Sequence, residues 1–256
     1  MEKIFYLIPV YNAEKTILDT LESIEFYSKF EPKIIIVDDG STDSTNKIVI
    51  DYARKNSLVN RIKLVKQQNS GVASALNRGL KEIPNDVWIF RLDADDCDVL
   101  GRQQEMIEFM KSNNLDMAGS YIREFGQSNS LRKYPTCDSA IRLALNFDLS
   151  PFAHPSIVFS PQIIKFIRYP VVCEEDLELF KSLKKKEIKF GNLQYPKVLY
   201  RVHNSQITKT NEFIVRNQNM GNIFKVTWQI LLTKNITIID KVWILRRALK
   251  LGMLFK

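Results

Sequence analysis

The sequence predicts an α/β fold in which a mostly parallel central sheet carries helices on both faces, with a helical appendage at the C-terminus. Three observations predict it. In the first hundred residues, short apolar runs alternate with helical patterns in β-α-β-α-β-α-β order, and crossovers of that kind return each strand parallel to the last. The runs at 33–37 and 87–92 are almost continuously apolar, as strands buried on both faces are. Finally, 256 residues with 45% hydrophobic and 26% charged content suit one large domain, or a domain with an appendage, and can bury a substantial core.

Residues 4–10 read as the opening strand. Tyr11-Asn12 then leads to a helix over 13–27, with Ile17, Leu18, Leu21 and Ile24 on one face. The strand at 33–37 is followed by Ser41 and Asp43, residue types that cap helix N-termini, and a helix reaches to about 55. A third strand is expected at 61–66, a short helix with Ala73, Ala75, Leu76 and Leu80 at 71–82, and a fourth strand at 87–92. A helix from 102 to about 113 precedes a strand at 116–124, and the polar, turn-rich stretch 126–134 predicts a mobile loop. Beyond it, 139–145 reads as helix and 154–159 as strand. A helix from 174 carries Leu177, Leu179, Phe180 and Leu183, and a late strand covers 198–202. From about 210 the pattern is helical, through Trp228 and 230–232 to 241–256. No linker interrupts the chain. The predicted organisation is one domain over 1–208, with halves at about 1–100 and 101–208, and a basic helical region over 209–256.

Cys97, Cys137 and Cys173 form neither a paired framework nor a metal-binding spacing, which predicts a reducing compartment. The N-terminus reads straight into a strand, without the pattern of a secretory signal, and no apolar run approaches the ~20 residues of a membrane span. A cytoplasmic location is the expectation. The net charge of +8 is unevenly spread: residues 181–256 hold 16 of the 37 Lys and Arg but only Glu187, Glu212 and Asp240 of the 29 acids. Such asymmetry predicts an anionic partner or a solvated basic face.

Chemistry concentrates where two strands end, in Val37-Asp38-Asp39-Gly40-Ser41-Thr42-Asp43 and Leu92-Asp93-Ala94-Asp95-Asp96. Ligands of open α/β sheets bind at the carboxyl ends of strands. A D-x-D-D trio can hold a hard divalent cation, which takes oxygen ligands and bridges to phosphates. Asp96 can equally cap the following turn. A phosphoacceptor receiver domain also displays acids at strand ends, although such a domain needs only about 100–150 residues.

The order of motifs narrows this choice. Ile8-Pro9-Val10-Tyr11-Asn12, the two acidic clusters, Asn69-Ser70-Gly71 with Ala75-Leu76-Asn77-Arg78-Gly79, and Arg91 before Leu92 together resemble the family 2 glycosyltransferases. The resemblance continues through His154-Pro155-Ser156, Glu175-Asp176-Leu177 and Tyr200-Arg201-Val202-His203, and so spans roughly 4–208. It implies the GT-A fold, a Rossmann-like arrangement, and sugar transfer with inversion from a UDP-sugar donor. The acceptor implied is a hydroxyl of a glycan or of a polyprenyl-diphosphate-linked glycan, in bacterial surface-polysaccharide assembly. A non-catalytic nucleotide-sugar-binding or scaffold protein on the same fold is the alternative.

The resemblance also implies roles. Residues matching Pro9, Val10, Tyr11 and Gly71 border the nucleotide, and Asp39 meets a uracil N–H, which suits an acceptor-only carboxylate. Asp93 faces the ribose and metal region. Asp95 is the direct ligand of Mn2+ or Mg2+, with His203 completing the metal or diphosphate site. Asp176 is the general base, Glu175 stands beside it, and His154 shapes the acceptor side. Arg78, Arg91 and Arg201 are candidates for diphosphate or carboxylate contacts, Arg91 chiefly by orienting the Asp93–Asp96 cluster. Two departures bear on donor-sugar and acceptor contacts: Leu76 stands where relatives often carry Arg, and Ser160 where an Arg often follows the His-Pro strand.

Segment 241–256 mixes Trp243 and aliphatic residues with Lys241, Arg246, Arg247, Lys250 and Lys256, and holds no acid. On a helix, Arg246, Arg247 and Lys250 cluster beside Trp243, an arrangement suited to an anionic membrane interface. It predicts peripheral contact with the inner face of the cytoplasmic membrane. Packing on the domain, or on a second subunit of a homodimer, is the alternative. Nucleic acid is not an expected partner, because no recognition fold accompanies the charge.

Overall fold

The computed structural model describes residues 2–203, 233 and 236–253. Its first half alternates strand and helix: β1 (Ile4–Val10), α1 (Ile17–Ser23), β2 (Lys33–Asp38), α2 (Thr45–Lys55), β3 (Ile62–Lys66), α3 (Val72–Leu80) and β4 (Trp88–Arg91). β5 (Cys97–Asp98), α4 (Arg102–Ser112), β6 (Met117–Gly126), β7 (Leu131–Arg132) and α5 (Asp138–Asn146) follow. β8 (Val158–Phe159), α6 (Glu175–Lys184), β9 (Phe190–Val202) and α7 (Ile238–Met253) complete the described chain.

The strands form one nine-stranded sheet in the order β3-β2-β1-β4-β8-β6-β9-β5, with β7 paired to β6. β3, β2, β1 and β4 are mutually parallel, β8 is antiparallel to both β4 and β6, and β9 returns parallel to β6. Winding proceeds from β1 outward to β3, then reverses to place β4 on the other side of β1. The crevice at that reversal lies between the ends of β1 and β4, where open α/β sheets bind ligands.

Side-chain alternation divides the core. In β1, Phe5 and Leu7 point towards α3, α5 and α6, whereas Ile4, Tyr6 and Ile8 point towards α1, α2 and α4. Both faces are therefore covered, and the strands read as continuous apolar runs for that reason. Gly79 lets α3 settle onto the sheet, since a Cβ there would meet Leu7 Cδ1 at 2.3 Å and Val37 Cγ2 at 2.9 Å.

Several expectations need correction. α1 occupies only Ile17–Ser23, because Asn12, Ala13 and Glu14 turn aside to bond Ser41, Thr45 and Asp43 at the end of β2. Residues 126–134 contain β7, held as a hairpin on β6 by Glu124, which accepts from Ser128 and Arg132. His154–Ser156 is a 3-10 turn, and only Val158–Phe159 is strand, because the Ser156 hydroxyl turns back to Ala153 O at 2.8 Å. β9 is far longer than 198–202, since it pairs with β6 along its length across a register shift near Tyr121. The expected helical pattern from 210 to 232 lies outside the described residues.

α7 packs against α5 through Ile244 and Ala248, which meet Ala140, Leu143 and Ala144. Asp240 is 1% exposed and accepts both the amide and the hydroxyl of Thr136, at 3.0 and 3.1 Å. Trp243 does not face outward beside the arginines as expected: its indole N–H donates to Lys133 O at 2.6 Å and its ring lies 6.3 Å from that of Tyr134. Packing on the domain thus takes one face of α7, and Ile238, Ile239, Val242, Arg246 and Arg247 remain exposed. Among the described residues no helix is long and apolar enough to cross a membrane.

Candidate active site

The ends of β1 and β2 are stitched together. Asn12, at φ 47°, accepts from Thr42 N–H at 2.8 Å, and Glu14 accepts from Ser44 N–H at 3.0 Å. Pro9 and Val10 are buried at this edge while Tyr11 is 52% exposed over it. Asp38 turns inward to accept from Ser41 N–H and Asn46 Nδ2, which ties the loop after β2 to the start of α2. Asp39 accepts from Gln67 Nε2 at 2.7 Å and from Ser70 and Gly71 N–H at 2.8 Å. It therefore shapes the loop that opens α3, and its Oδ2, with one bond, retains a further acceptor position. Gly71 caps that helix at φ 87° with open space where a Cβ would lie, a conformation glycine adopts without strain.

The second acidic cluster caps β4. Carboxylate oxygens of Asp93, Asp95 and Asp96 all lie within 4.8 Å of one another. Burial, and then mutual repulsion, raises Asp95 above the ordinary carboxylate range and Asp96 well above it. His203 Nε2 lies 3.0 Å from Asp95 Oδ2. Asp96 accepts from Arg201 N–H at 2.8 Å, and its buried Oδ2 has no partner. Hard oxygens crowded at mutual cost, with an orphaned buried oxygen and an imidazole beside them, fit a divalent cation.

Arg91 links this cluster to α6. It is 1% exposed, donates to Asp93 Oδ1 at 2.5 Å, and leaves Nε and Nη1 without partners. Sheet alternation turns it towards α6, where its charge acts on Asp176, Glu175 and His154. Asp176 stands in the first turn of α6 and accepts from Leu177 N–H at 2.7 Å. Burial raises its carboxyl above the usual range, opposed by that amide and by Arg91. Burial likewise raises Glu175. His154 is held well below the ordinary imidazole range by burial and by Arg91, and bonds Tyr169 Oη at 3.1 Å.

Other expected residues have structural duties. Arg201 Nε donates to Asp95 O at 2.8 Å, Nη2 pairs with Asp19 at 2.7 Å, and the guanidinium lies 4.4 Å over Phe125. It organises the acidic loop against α1. Arg78, in the last turn of α3, pairs with Glu82 just beyond that helix at 3.0 Å, and the structure does not bring it to the cluster. Leu76 is fully buried in the core.

Sequence reasoning missed three supports. Asn77 clamps the Tyr169 backbone, donating to its carbonyl at 2.7 Å and accepting from its amide at 2.9 Å. Tyr134 lies within electrostatic reach of Asp176. Beneath the acidic loop, Asp98 accepts from Tyr6 Oη and Arg102 Nη1, both at 2.5 Å, and Arg102 Nη2 donates to the carbonyls of Arg91 and Pro155. The i,i+4 spacing of Asp98 and Arg102 was the available signal, but it spans the start of α4 and did not reveal burial.

Comparison with known proteins places this geometry. Residues 6–169, more than half of the chain, match the family model described as Glycosyl transferase family 2. A UDP-Glc:alpha-D-GlcNAc-diphosphoundecaprenol beta-1,3-glucosyltransferase of Escherichia coli is 29% identical over 225 residues, covering 86% of each chain. A UDP-Gal:alpha-D-GlcNAc-diphosphoundecaprenol beta-1,3-galactosyltransferase of Escherichia coli is 30% identical over 146 residues, covering 55% of this chain and 51% of that relative. The chain thus spans about half the length of the galactosyltransferase. The crystal structure of Staphylococcus aureus TarS in complex with UDP-GlcNAc shares the fold, with a TM-score of 0.68 at 18% identity over 99% of this chain and 73% of that one.

Proposed function

The chain belongs to glycosyl transferase family 2, and on that premise we propose that it moves a sugar from a UDP-sugar to a hydroxyl of a glycan or lipid-linked glycan, with inversion, in surface-polysaccharide synthesis. One observation carries the reading: the buried Arg91 is paired with Asp93 of the Asp93–Asp96 cluster, and its charge also favours the ionised forms of Glu175 and Asp176. A cation-binding cluster and a separate carboxylate of raised pKa suit leaving-group stabilisation and proton removal respectively. The names of the two curated relatives support a UDP-sugar donor and a diphosphate-linked acceptor.

In this reading Pro9, Val10 and Tyr11 border the base, Asp39 accepts a base N–H through its remaining acceptor position, and Asp93 faces the ribose. Asp95 and His203 would hold a divalent cation, Mn2+ or Mg2+, which would supply positive charge at the departing diphosphate. Asp176 takes the acceptor hydroxyl's proton as that oxygen attacks the anomeric carbon opposite the diphosphate. Glu175 and His154 shape the acceptor side, and Arg201 keeps the acidic loop in place. The exposed apolar and basic residues of α7 hold the enzyme at an anionic membrane surface.

Calorimetry with UDP tests the donor half: binding is expected to need the divalent cation, and Asp95→Ala is expected to abolish that metal-dependent binding. Metal-independent UDP binding by the unaltered protein refutes the assigned ligands. Asp176→Asn is expected to keep UDP affinity and to lower transfer by at least about 10²-fold. Screening UDP-sugars for hydrolysis identifies the donor.

A further inference from the structure

His154 Nε2 lies 3.1 Å from Tyr169 Oη. Tyr169 is 1% exposed, and Asn77 holds its backbone by amide and carbonyl, at 2.9 and 2.7 Å. Among the described residues its hydroxyl has no polar partner except that imidazole nitrogen. A buried phenol proton left without an acceptor is costly, so Tyr169 donates and Nε2 accepts. A neutral imidazole whose Nε2 accepts carries its proton on Nδ1, and burial with the charge of Arg91 disfavours the doubly protonated ring. The ring is flanked by Tyr169, 5.4 Å between centroids, and by Phe180, edge-on at 6.5 Å. His154 is only half-buried, and its Nδ1 has no partner among the described residues. Hydrogen bonds also fix where this turn lies. Arg91 N–H donates to Ile157 O at 2.9 Å, and Arg102 Nη2 donates to Arg91 O at 2.9 Å and to Pro155 O at 3.1 Å. The His154 turn is therefore fastened to the end of β4, the strand from which the acidic cluster follows.

We propose that His154 donates its Nδ1–H to an uncharged oxygen of a bound sugar, with Tyr169 and Asn77 as the positioning residues that hold this tautomer. The inference deepens the transferase reading and rests on it for the presence of a sugar at the end of β4. A neutral N–H suits a hydroxyl or an acetamido carbonyl, each of which offers lone pairs without charge. The sugar oxygen then supplies the acceptor that the fold withholds from Nδ1. No proton is transferred in this role; the hydrogen bond orients the sugar ring for reaction. Donor and acceptor sugars present the same oxygen chemistry, and the experiment separates them.

The test uses the full chain labelled with nitrogen-15 at its two histidines, with His154 assigned by the loss of its signals in His154→Gln. Nitrogen–proton correlation spectra distinguish the two neutral tautomers and the cation. The neutral Nδ1–H form is expected in the unaltered protein, and Tyr169→Phe is expected to admit the Nε2–H form. A dominant Nε2–H form or a cation at neutral pH, or a tautomer indifferent to Tyr169→Phe, overturns the proposal. UDP, UDP-glucose, UDP-galactose, UDP-N-acetylglucosamine and octyl N-acetylglucosaminide are then titrated in the presence of Mg2+. A shift of the Nδ1 signal with a UDP-sugar, beyond that with UDP, assigns the oxygen to the donor sugar, and a shift with the octyl glycoside assigns it to the acceptor. No such shift with any of these sugars overturns the proposal. In transfer assays, His154→Gln is expected to raise the KM of that substrate about three- to tenfold, the worth of one neutral hydrogen bond. His154→Asn places an amide nitrogen near the position of Nδ1 and is expected to recover part of the loss. An unchanged KM in His154→Gln, or a defect in His154→Asn as large or larger, overturns the proposal. A sugar-dependent Nδ1 shift without transfer to any acceptor faults the transferase reading and leaves the hydrogen bond standing.

Discussion

Asp176 shows how one carboxylate acquires its properties from neighbours on other elements. Burial disfavours its charge, while the Leu177 amide and Arg91 favour it, and burial prevails. Ionised Asp176 is the form that accepts a proton, so transfer is expected to fall on acidification at a pH above the ordinary carboxylate range, as the acidic limb of a kcat/KM profile reads out. The stability effect has the opposite sign. Between the unfolded and the raised folded pKa the native protein holds the extra proton, so this group's contribution is present at low pH and lost as pH rises through the folded value. Asp176→Asn is therefore expected to flatten that part of a stability–pH curve measured by denaturant unfolding. Asp93 and Asp95 were legible as residues because a D-x-D-D spacing is local. Arg91 was legible as a neighbour of the cluster, but its link to α6 was not, because that depends on which face of β4 it occupies.

At the scale of elements, strands buried on both faces and the helices between them announced themselves through unbroken apolar runs and 3.6-residue periodicity. Elements whose limits depend on partners did not. β9 extends from 190 because β6 offers it an edge, and β7 exists because Glu124 holds Ser128 and Arg132. Gly79 is a close-approach point between α3 and the sheet, with Leu7 and Val37 in the way of any side chain. Gly79→Ala is expected to destabilise the fold by about 1–3 kcal/mol, the range of overpacked cores, despite alanine's better helix propensity. A lowered denaturation midpoint with unchanged m-value checks this, whereas stabilisation would show that α3 can shift at little cost.

Across the whole molecule, the sheet reversal between β1 and β4 creates the crevice, and α7 packs on α5 and on residues 133–137. Truncation before residue 236 exposes the patch of Ala140, Leu143 and Ala144 and is expected to cost roughly 2–5 kcal/mol of stability. The same truncation is expected to remove binding to anionic vesicles, measured by cosedimentation at low and high salt. Unchanged vesicle binding would refute the membrane role of α7. The family, the doubly covered sheet and the acidic strand ends were determined by the sequence itself, because they rest on local order: motif spacing, apolar periodicity and the residue types that follow each strand. Tertiary structure decided what required distant parts to meet. It tied Asp38 to the loop after β2 and Asp39 to the α3 loop, turned Arg78 to Glu82 and Arg201 to the acidic loop, and clamped α7 on residues 133–137. Those assignments depend on which surfaces cover one another, and charge placed far apart along a chain acquires its role only when burial and hydrogen bonding bring it to a partner.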